Sequence, residues 1–285
     1  MPDLIMDSNY ICHWHRFALS QGLSYRGKPT EIIFGFLKTV FELSERFQSR
    51  RFLFCWDSRE SLRKKIYPDY KSNRHKEMTE EEKETSSVAF RQFDEIRQIV
   101  LPDLGFKNIF LKDGYESDDL IAVLVKMKST DTKVVVSSDA DLYQLLQYCN
   151  IYQPAKKQLM TEELFQKEYS IASRYWPSVK CLSGCSTDNV AGIVGVGEKT
   201  AIKYFNGELV KGKAFDSIKS KEGVKIFHRN ALLVSLPFDG IDVLPVKKQE
   251  IFSKDKFIQI FEQYGFQSFL TAKAISRWTS LFNLE

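Results

Sequence analysis

The sequence predicts an α/β fold with a mostly parallel central sheet and flanking helices, and three observations predict it. Short runs of continuous hydrophobicity recur along the first half of the chain, each closes on an acidic residue, and helical patterns separate one from the next. Continuous rather than alternating hydrophobicity marks strands covered on both faces, and strands that alternate with helices pair in parallel. The runs are Leu4-Ile5-Met6 before Asp7, Phe52-Leu53-Phe54-Cys55-Trp56 before Asp57, Asn108-Ile109-Phe110-Leu111 ahead of Asp113 and Glu116, and Val134-Val135-Val136 before Ser137-Ser138-Asp139. In such a sheet, ligands bind in the crevice beyond the carboxyl ends of the strands. The acids at positions 7, 57, 116 and 139 are therefore expected to converge there. A single Asp after a strand is often only a helix N-cap, but that reading weakens when every central strand ends in a carboxylate.

The remaining elements follow in order. Between Tyr70 and Arg97 the chain is polar and charged, and Thr79 with Glu82 resembles a capping box, so a helix is predicted to start there and to overhang the strand ends. Gly114-Tyr115-Glu116-Ser117-Asp118-Asp119 precedes Leu120, Val123, Leu124 and Met127, whose spacing marks the buried face of a helix. Glu116 and Asp119 fall on neighbouring parts of one helix face, and Asp118 points further round. From about Tyr175 the character changes to a helical region containing Gly184, Gly192, Gly195 and Gly197, then amphipathic stretches around Phe227 to Leu236 and Lys256 to Phe261. The predicted organisation is a core over residues 1–175, with an arch at about 71–97, and a helical lobe over 176–285.

Composition narrows the function classes. The net charge of +4 is a weak signal by itself, but Arg59 to Lys76 holds Arg59, Arg63, Lys64, Lys65, Lys71, Arg74 and Lys76 against only Glu60 and Asp69. Such an excess suits a phosphate backbone or, equally, a solvated helix face. The five cysteines are an odd number and form no CxxC pair, which argues against a disulfide scaffold or a thiolate zinc site and for a reducing, cytoplasmic compartment. No stretch has the length and continuity of a membrane span, and the start lacks a basic region followed by an apolar core, so neither export nor anchoring is expected.

Glu116, Asp118 and Asp119 lie within four residues and repel one another, a cost that a helix N-terminus relieves in part and a bound cation offsets more fully. Ser137-Ser138-Asp139-Ala140-Asp141-Leu142 places two more carboxylates at a strand exit. Hard oxygen donors without histidines favour Mg²⁺, with Mn²⁺ as a substitute. His13, His15, His75 and His228 all lie outside the acidic clusters. Many carboxylates can hold two ions roughly 3.5–4 Å apart, one generating a nucleophilic hydroxide and both stabilising a transferring phosphate. Spacing alone leaves the number of ions open.

The order of these motifs resembles the flap endonuclease family, specifically the bacterial and bacteriophage 5′ nucleases related to the 5′ nuclease domain of DNA polymerase I. The matching pieces are Ile5-Met6-Asp7-Ser8-Asn9, Trp56-Asp57 with Arg63, Pro68-Asp69-Tyr70-Lys71-Ser72-Asn73-Arg74, Gly114 to Asp119, Ser138-Asp139-Ala140-Asp141-Leu142, and Leu182 to Asn189 running on through Val190 to Ala201. The resemblance implies that Asp7, Asp57, Glu116, Asp118, Asp119, Asp139, Asp141 and Asp188 surround the metals. It departs at Cys185, where the family usually has an acid; a thiol is a poor ligand for Mg²⁺, which implies one firmly and one weakly bound ion.

The resemblance further makes Lys71 and Arg74 active-site residues that draw in the phosphodiester, and Arg63 and Lys64 phosphate contacts. Gly192, Gly195 and Gly197 have no Walker arrangement. They resemble the turn of a helix-hairpin-helix-like DNA-binding module, with Lys199 and Lys203 as phosphate contacts and K⁺ held by backbone oxygens. The implied protein is a monomeric nuclease, with replication proteins as partners, that hydrolyses flapped, nicked or 5′-ended DNA and also RNA primers in a bacterial cell or phage-infected host. Two alternatives stay open: a non-catalytic accessory protein that binds branched DNA, and an RNase H-like enzyme acting on RNA–DNA hybrids.

Overall fold

The computed structural model describes residues 1–18, 22–74, 79–128 and 131–284, without the side chain of Arg74. Its centre is a six-stranded sheet. In chain order the strands are β1 (Asp3–Asp7), β2 (Phe52–Trp56), β3 (Ile109–Leu111), β4 (Lys133–Val136), β5 (Asn150–Gln153) and β6 (Gln158–Met160). They lie side by side as β3-β2-β1-β4-β5-β6. All neighbours run parallel except β6, which returns antiparallel to β5. The mostly parallel sheet is as expected, and β5 and β6 are additions to the four strands read from the sequence.

Strand order explains where a site can form. From β1 the chain moves through β2 to β3 on one side, then crosses to β4 and β5 on the other. Connections leaving in opposite directions open a crevice at the carboxyl ends of β1 and β4. Asp7 is the last residue of β1, and the register that pairs Met6 with Val136 brings Ser137 beside it.

Alternate residues of the buried strands face two separate cores. On one face Leu4, Met6, Phe52, Phe54, Trp56, Val134 and Val136 pack against α1 (Ser8–Ala18) and α2 (Glu31–Phe47). On the other face Ile5, Leu53, Cys55, Val135 and Ile151 pack against α4 (Ser117–Lys126) and α5 (Trp176–Ser183). Burial of both faces accounts for the continuous hydrophobicity of the strands.

The helical arch begins with α3 (Glu80–Glu95). Thr79 Oγ1 accepts from Glu82 N at 3.2 Å, and Thr79 N donates to Glu82 Oε2 at 2.7 Å, so the anticipated capping box is present. Ala89, Phe93, Ile96 and Val100 descend into the first core, whereas Glu80 to Glu84 are exposed. Residues 75–78 of the expected arch lie outside the described residues.

The C-terminal region is helical: α5 is followed by α6 (Glu198–Phe205), α7 (Lys221–Val234), α8 (Lys254–Gln263) and α9 (Ala272–Phe282). The boundary read at residue 175 does not separate two cores, however. Phe257, Phe261, Trp278 and Phe282 return to the first core, where Trp278 and Phe41 have ring centroids 3.9 Å apart. The chain therefore closes back over the sheet after contributing its hairpin region. Among the described residues no helix is long and apolar enough to cross a membrane, and the five cysteines are free and buried.

Candidate active site at the strand ends

The acids brought to the strand ends fall into two adjoining groups. Asp7, buried at 5% exposure, accepts from Tyr10 N at 3.1 Å, Ser117 Oγ at 3.2 Å and Ser137 Oγ at 2.8 Å. Asp57 accepts from Ser117 N at 2.7 Å, while its own N–H donates to Asn9 Oδ1 at 3.0 Å. Ser117 thus ties together carboxylates that are 50 residues apart in the chain and end adjacent strands. Asp139 Oδ1 accepts from Asp141 N at 2.7 Å, fixing the exit from β4.

Glu116 stands between the groups. Its Oε2 lies 2.7 Å from Lys71 Nζ and accepts from the Tyr70 hydroxyl at 3.0 Å, and its Oε1 accepts from Ser61 Oγ at 3.2 Å. The Tyr70 hydroxyl also lies 3.2 Å from Asp188 Oδ2, and Lys71 Nζ lies 3.9 Å from the same oxygen. Tyr70 and Lys71 therefore bridge Glu116 to Asp188. Lys71 reaches this position from a left-handed backbone, at φ +54°.

The second group is compact. Ligand atoms of Asp141, Cys185 and Asp188 all lie within 4.8 Å of one another, close enough to share one metal ion. Cys185 Sγ lies 3.5 Å from Asp141 Oδ2 and 3.0 Å from Thr187 Oγ1. Lys180 Nζ sits 3.4 Å from Asp141 Oδ1 and 2.8 Å from Glu198 Oε1, linking the cluster to the start of α6.

Crowding of like charges shows in the ionisation of the site. Burial, then the charge of Asp57, pushes the Asp7 carboxyl up to about 7. Burial raises Asp57 as well, and burial with the charges of Asp139 and Asp7 holds Asp118 well above the usual range. Asp139 is pushed up to about 6 by burial and by the charge of Asp141. Glu116 behaves oppositely, because Lys71 and Arg63 outweigh the effect of its burial and lower it. Burial and the Asp141 charge lift the Cys185 thiol to about 11, leaving a neutral sulfur at neutral pH. A cation would relieve the raised carboxylates directly.

Two sequence expectations are corrected by this geometry. Arg63, read as a phosphate contact, is 2% exposed and forms a bidentate pair with Asp119, both N···O distances being 2.7 Å. Its Nε donates to Leu233 O at 2.8 Å, and its guanidinium lies 5.0 Å from the Phe238 ring centroid. It is a buried brace that joins α4 to the end of α7 and to Phe238 beyond it. Asp119, grouped with the metal ligands, is fully buried, and besides Arg63 it accepts from Glu116 N at 3.1 Å and Phe238 N at 2.7 Å. Those donors occupy both of its oxygens. Its effect on the site is indirect: the reciprocal cap with Glu116 orients that carboxylate.

The remaining expected residues lie in various settings. Lys64 is half-buried on the short helix Leu62–Ile66, and the side chain of Arg74 lies outside the described residues. Gly192 is a packing glycine, since a Cβ there would meet the Ser183 carbonyl carbon at 2.2 Å. Gly195, at φ +79° in open space, makes the turn, and Gly197 caps α6, on which Lys199 and Lys203 are exposed. Tyr70, Ser117, Ser137 and Lys180 join the site without being predicted to; the first three sit inside the motifs quoted from the sequence, and no motif there marks Lys180.

The family model described as the N-terminal, resolvase-like domain of 5′-3′ exonucleases matches residues 3–170, the stretch that supplies all of these carboxylates except Asp188. The chain belongs to the 5′-3′ exonuclease family. A 5′-3′ exonuclease of Buchnera aphidicola subsp. Schizaphis graminum is 28% identical over 244 residues, covering 83% of this chain and 77% of its own length. A 5′-3′ exonuclease of Bacillus subtilis is 33% identical over 184 residues, covering 62% of this chain and 59% of its own. Among solved structures, the T5 5′-exonuclease with bound zinc ions superposes with a TM-score of 0.71 at 18% identity, covering 100% of this chain and 99% of that one. At that identity the likeness is one of fold. In this exonuclease-family chain the matched stretch ends before Cys185 and Asp188, which follow it in the sequence.

Proposed function

We propose that the chain is a divalent-metal-dependent, structure-specific 5′ nuclease that hydrolyses phosphodiesters of flapped, nicked or 5′-ended DNA and of RNA primers. One observation carries this reading: carboxylates delivered by β1, β2, the turn after β3 and the exit of β4 meet beside Lys71 at the switch point of a parallel sheet. The donor set suits hard divalent cations. It is rich in oxygen, contains no histidine, and holds buried carboxylates whose raised ionisation signals unmet negative charge.

Asp57, Glu116 and Asp139 would hold one Mg²⁺ or Mn²⁺ firmly, with Asp7 and Asp118 orienting its waters. Asp141 and Asp188 would hold a second ion less securely, because the neutral Cys185 sulfur is a weak donor to a hard ion. Such an ion supplies hydroxide at neutral pH and neutralises charge on the phosphate. The chain's own groups do the rest. Lys71, held at about 12 mainly because Glu116 and Asp188 override its burial, stays protonated to attract a scissile phosphate, and Arg74 would join it. The Tyr70 hydroxyl, raised by burial and those same acids, remains a donor that orients Glu116 and Asp188.

The Gly195 turn and α6 would hold duplex DNA by its backbone through Lys199 and Lys203, with K⁺ on exposed turn carbonyls. Specificity would follow from shape and deformability rather than base reading. The test is cleavage of 5′-labelled flap, nicked and blunt DNA with and without Mg²⁺, using Asp57→Ala and Asp139→Ala as controls. Divalent-dependent cleavage lost in both variants supports the nuclease, and binding without any divalent-dependent product supports a non-catalytic branched-DNA binder.

A further inference from the structure

Gln144 lies on the 3₁₀ helix Ala140–Leu145 that leads away from Asp139, and only 6% of it is exposed. Its amide bonds three main-chain groups. Nε2 donates to Asp141 O at 2.8 Å and to Val234 O at 3.0 Å, and Oε1 accepts from Leu236 N at 2.9 Å. Only this orientation of the amide meets two carbonyls with N–H groups and one N–H with an oxygen. Both N–H bonds of the side chain are thereby committed to the backbone.

The two carbonyls that it joins differ in freedom. Val234 is the last residue of α7, a helix of 14 residues. That end is held again where Leu233 O accepts from Arg63 Nε, and further back, where the fully buried Asn230 donates through Nδ2 to Cys181 O at 2.8 Å. Asp141 sits instead in the first turn of a short 3₁₀ helix at the cleft, where hydrogen-bond geometry is poorer than in an α-helix. Its carboxylate faces Cys185 and Lys180, and its own N–H donates to Asp139. A cavity of about 20 Å³ is lined by Leu233, Val234 and Leu236 together with Glu116, Asp141 and Asp188. That is room for one water-sized occupant, so a small displacement of Asp141 changes the site.

We propose that Gln144 is the positioning residue that aims the Asp141 carboxylate at the second ion, with the end of α7 as its anchor. The inference rests on the nuclease reading, and it assigns the geometry of the weaker site to a side chain that holds no ion itself. Without the amide, two carbonyls and one N–H lose a buried partner and must find others. The helix end is fixed, so Asp141 is the group that moves. Groups that orient a metal ligand in this way set metal affinity by about ten- to a hundredfold.

The test is Mn²⁺ titration calorimetry on the full chain, with Gln144→Met, which keeps the length and removes every bond, and Gln144→Glu, which keeps the acceptor and removes the donors. Phe257→Leu, in the core on the other face of the sheet, controls for lost stability. Each Gln144 variant is expected to weaken the weaker Mn²⁺ site about tenfold or more and to leave the tighter site within about twofold, whereas Phe257→Leu lowers Tm and changes neither site. If Gln144→Met does not fold, Gln144→Glu decides. Asp141→Ala slows flap cleavage, and adding Gln144→Met to it is expected to slow cleavage no further, because Gln144 acts through Asp141. Equal weakening of both sites, an unchanged weaker site, a single Mn²⁺ site in the native chain, or losses that add in the double variant would overturn the role of Gln144. A native chain that shows both Mn²⁺ sites and their split response but cuts no 5′-flap DNA would count against the nuclease reading and leave the positioning role standing.

Discussion

Arg63 and Asp119 face each other in two parallel hydrogen bonds of 2.7 Å, and neither side chain reaches solvent. Removing one partner strands a buried charge, so Arg63→Ala or Asp119→Ala is expected to cost about 3–5 kcal/mol. Urea denaturation checks this. If Arg63→Ala instead unfolds like the native chain but binds DNA more weakly, Arg63 is a phosphate contact and the brace is misassigned.

In metal-free protein, stability is expected to fall as pH rises from about 4 to 7. The folded-state value of Asp7 is raised to about 7 from 3.8. Within that window the folded chain keeps a proton that the unfolded chain has shed, so the linkage slope is negative. His15, lowered to about 4 mainly by burial, works in the opposite direction between 4 and 6.5. Scanning calorimetry in EDTA therefore compares native protein with Asp7→Asn, which share the His15 contribution: the variant should lose less stability than the native chain as pH rises from 4 to 7. Adding Ca²⁺ should raise the native Tm more at pH 8 than at pH 5; an equal rise at both would contradict the shared-charge account.

Cys185→Asp is expected to tighten the weaker divalent site about tenfold or more, because it adds a hard, charged donor to Asp141 and Asp188. Mn²⁺ titration calorimetry reads the change. An unaltered isotherm would mean that the residue at position 185 does not limit the second ion.

Gly192→Ala and Gly195→Ala should separate packing from turn geometry. At Gly192 a Cβ would strike backbone atoms of Ser183 and Gly184 at 2.2–2.6 Å, an overpacking cost of about 1–3 kcal/mol. At Gly195 there is space, and the φ of +79° alone costs about 1–2 kcal/mol. Both should weaken duplex binding, and Gly192→Ala should also loosen Gly184–Cys185, which pairs with Val190–Ala191. Thermal melts and binding to a blunt duplex test the pair, and full duplex affinity in both variants would remove this turn from the DNA interface.

The strand ends were legible because a buried parallel strand must be apolar along its whole length, so the first acid after it stands out, as at Asp7 and Asp57. Asn150–Gln153 and Gln158–Met160 carry too few apolar residues to give that contrast. Counting charge located the basic run but could not tell which member turns inward; Arg63 does so because α4 offers it a carboxylate and Leu233 a carbonyl. Helical phase placed Glu116 beside Asp119, and only the partners of each separate a ligand candidate from a brace. The return of Trp278 and Phe282 to the sheet is a long-range contact that no local pattern encodes.

The strand-end acids are expected to share a cation and a phosphate, which a crystal structure with Ca²⁺ and a 5′-flap oligonucleotide would show. An ion should lie within about 2.3–2.6 Å of oxygens from Asp57, Glu116 and Asp139, with a DNA phosphate oxygen completing its coordination and Lys71 turned from Glu116 to that phosphate. DNA seated with no ion among those three carboxylates, or an ion bound elsewhere with Lys71 still on Glu116, would contradict it.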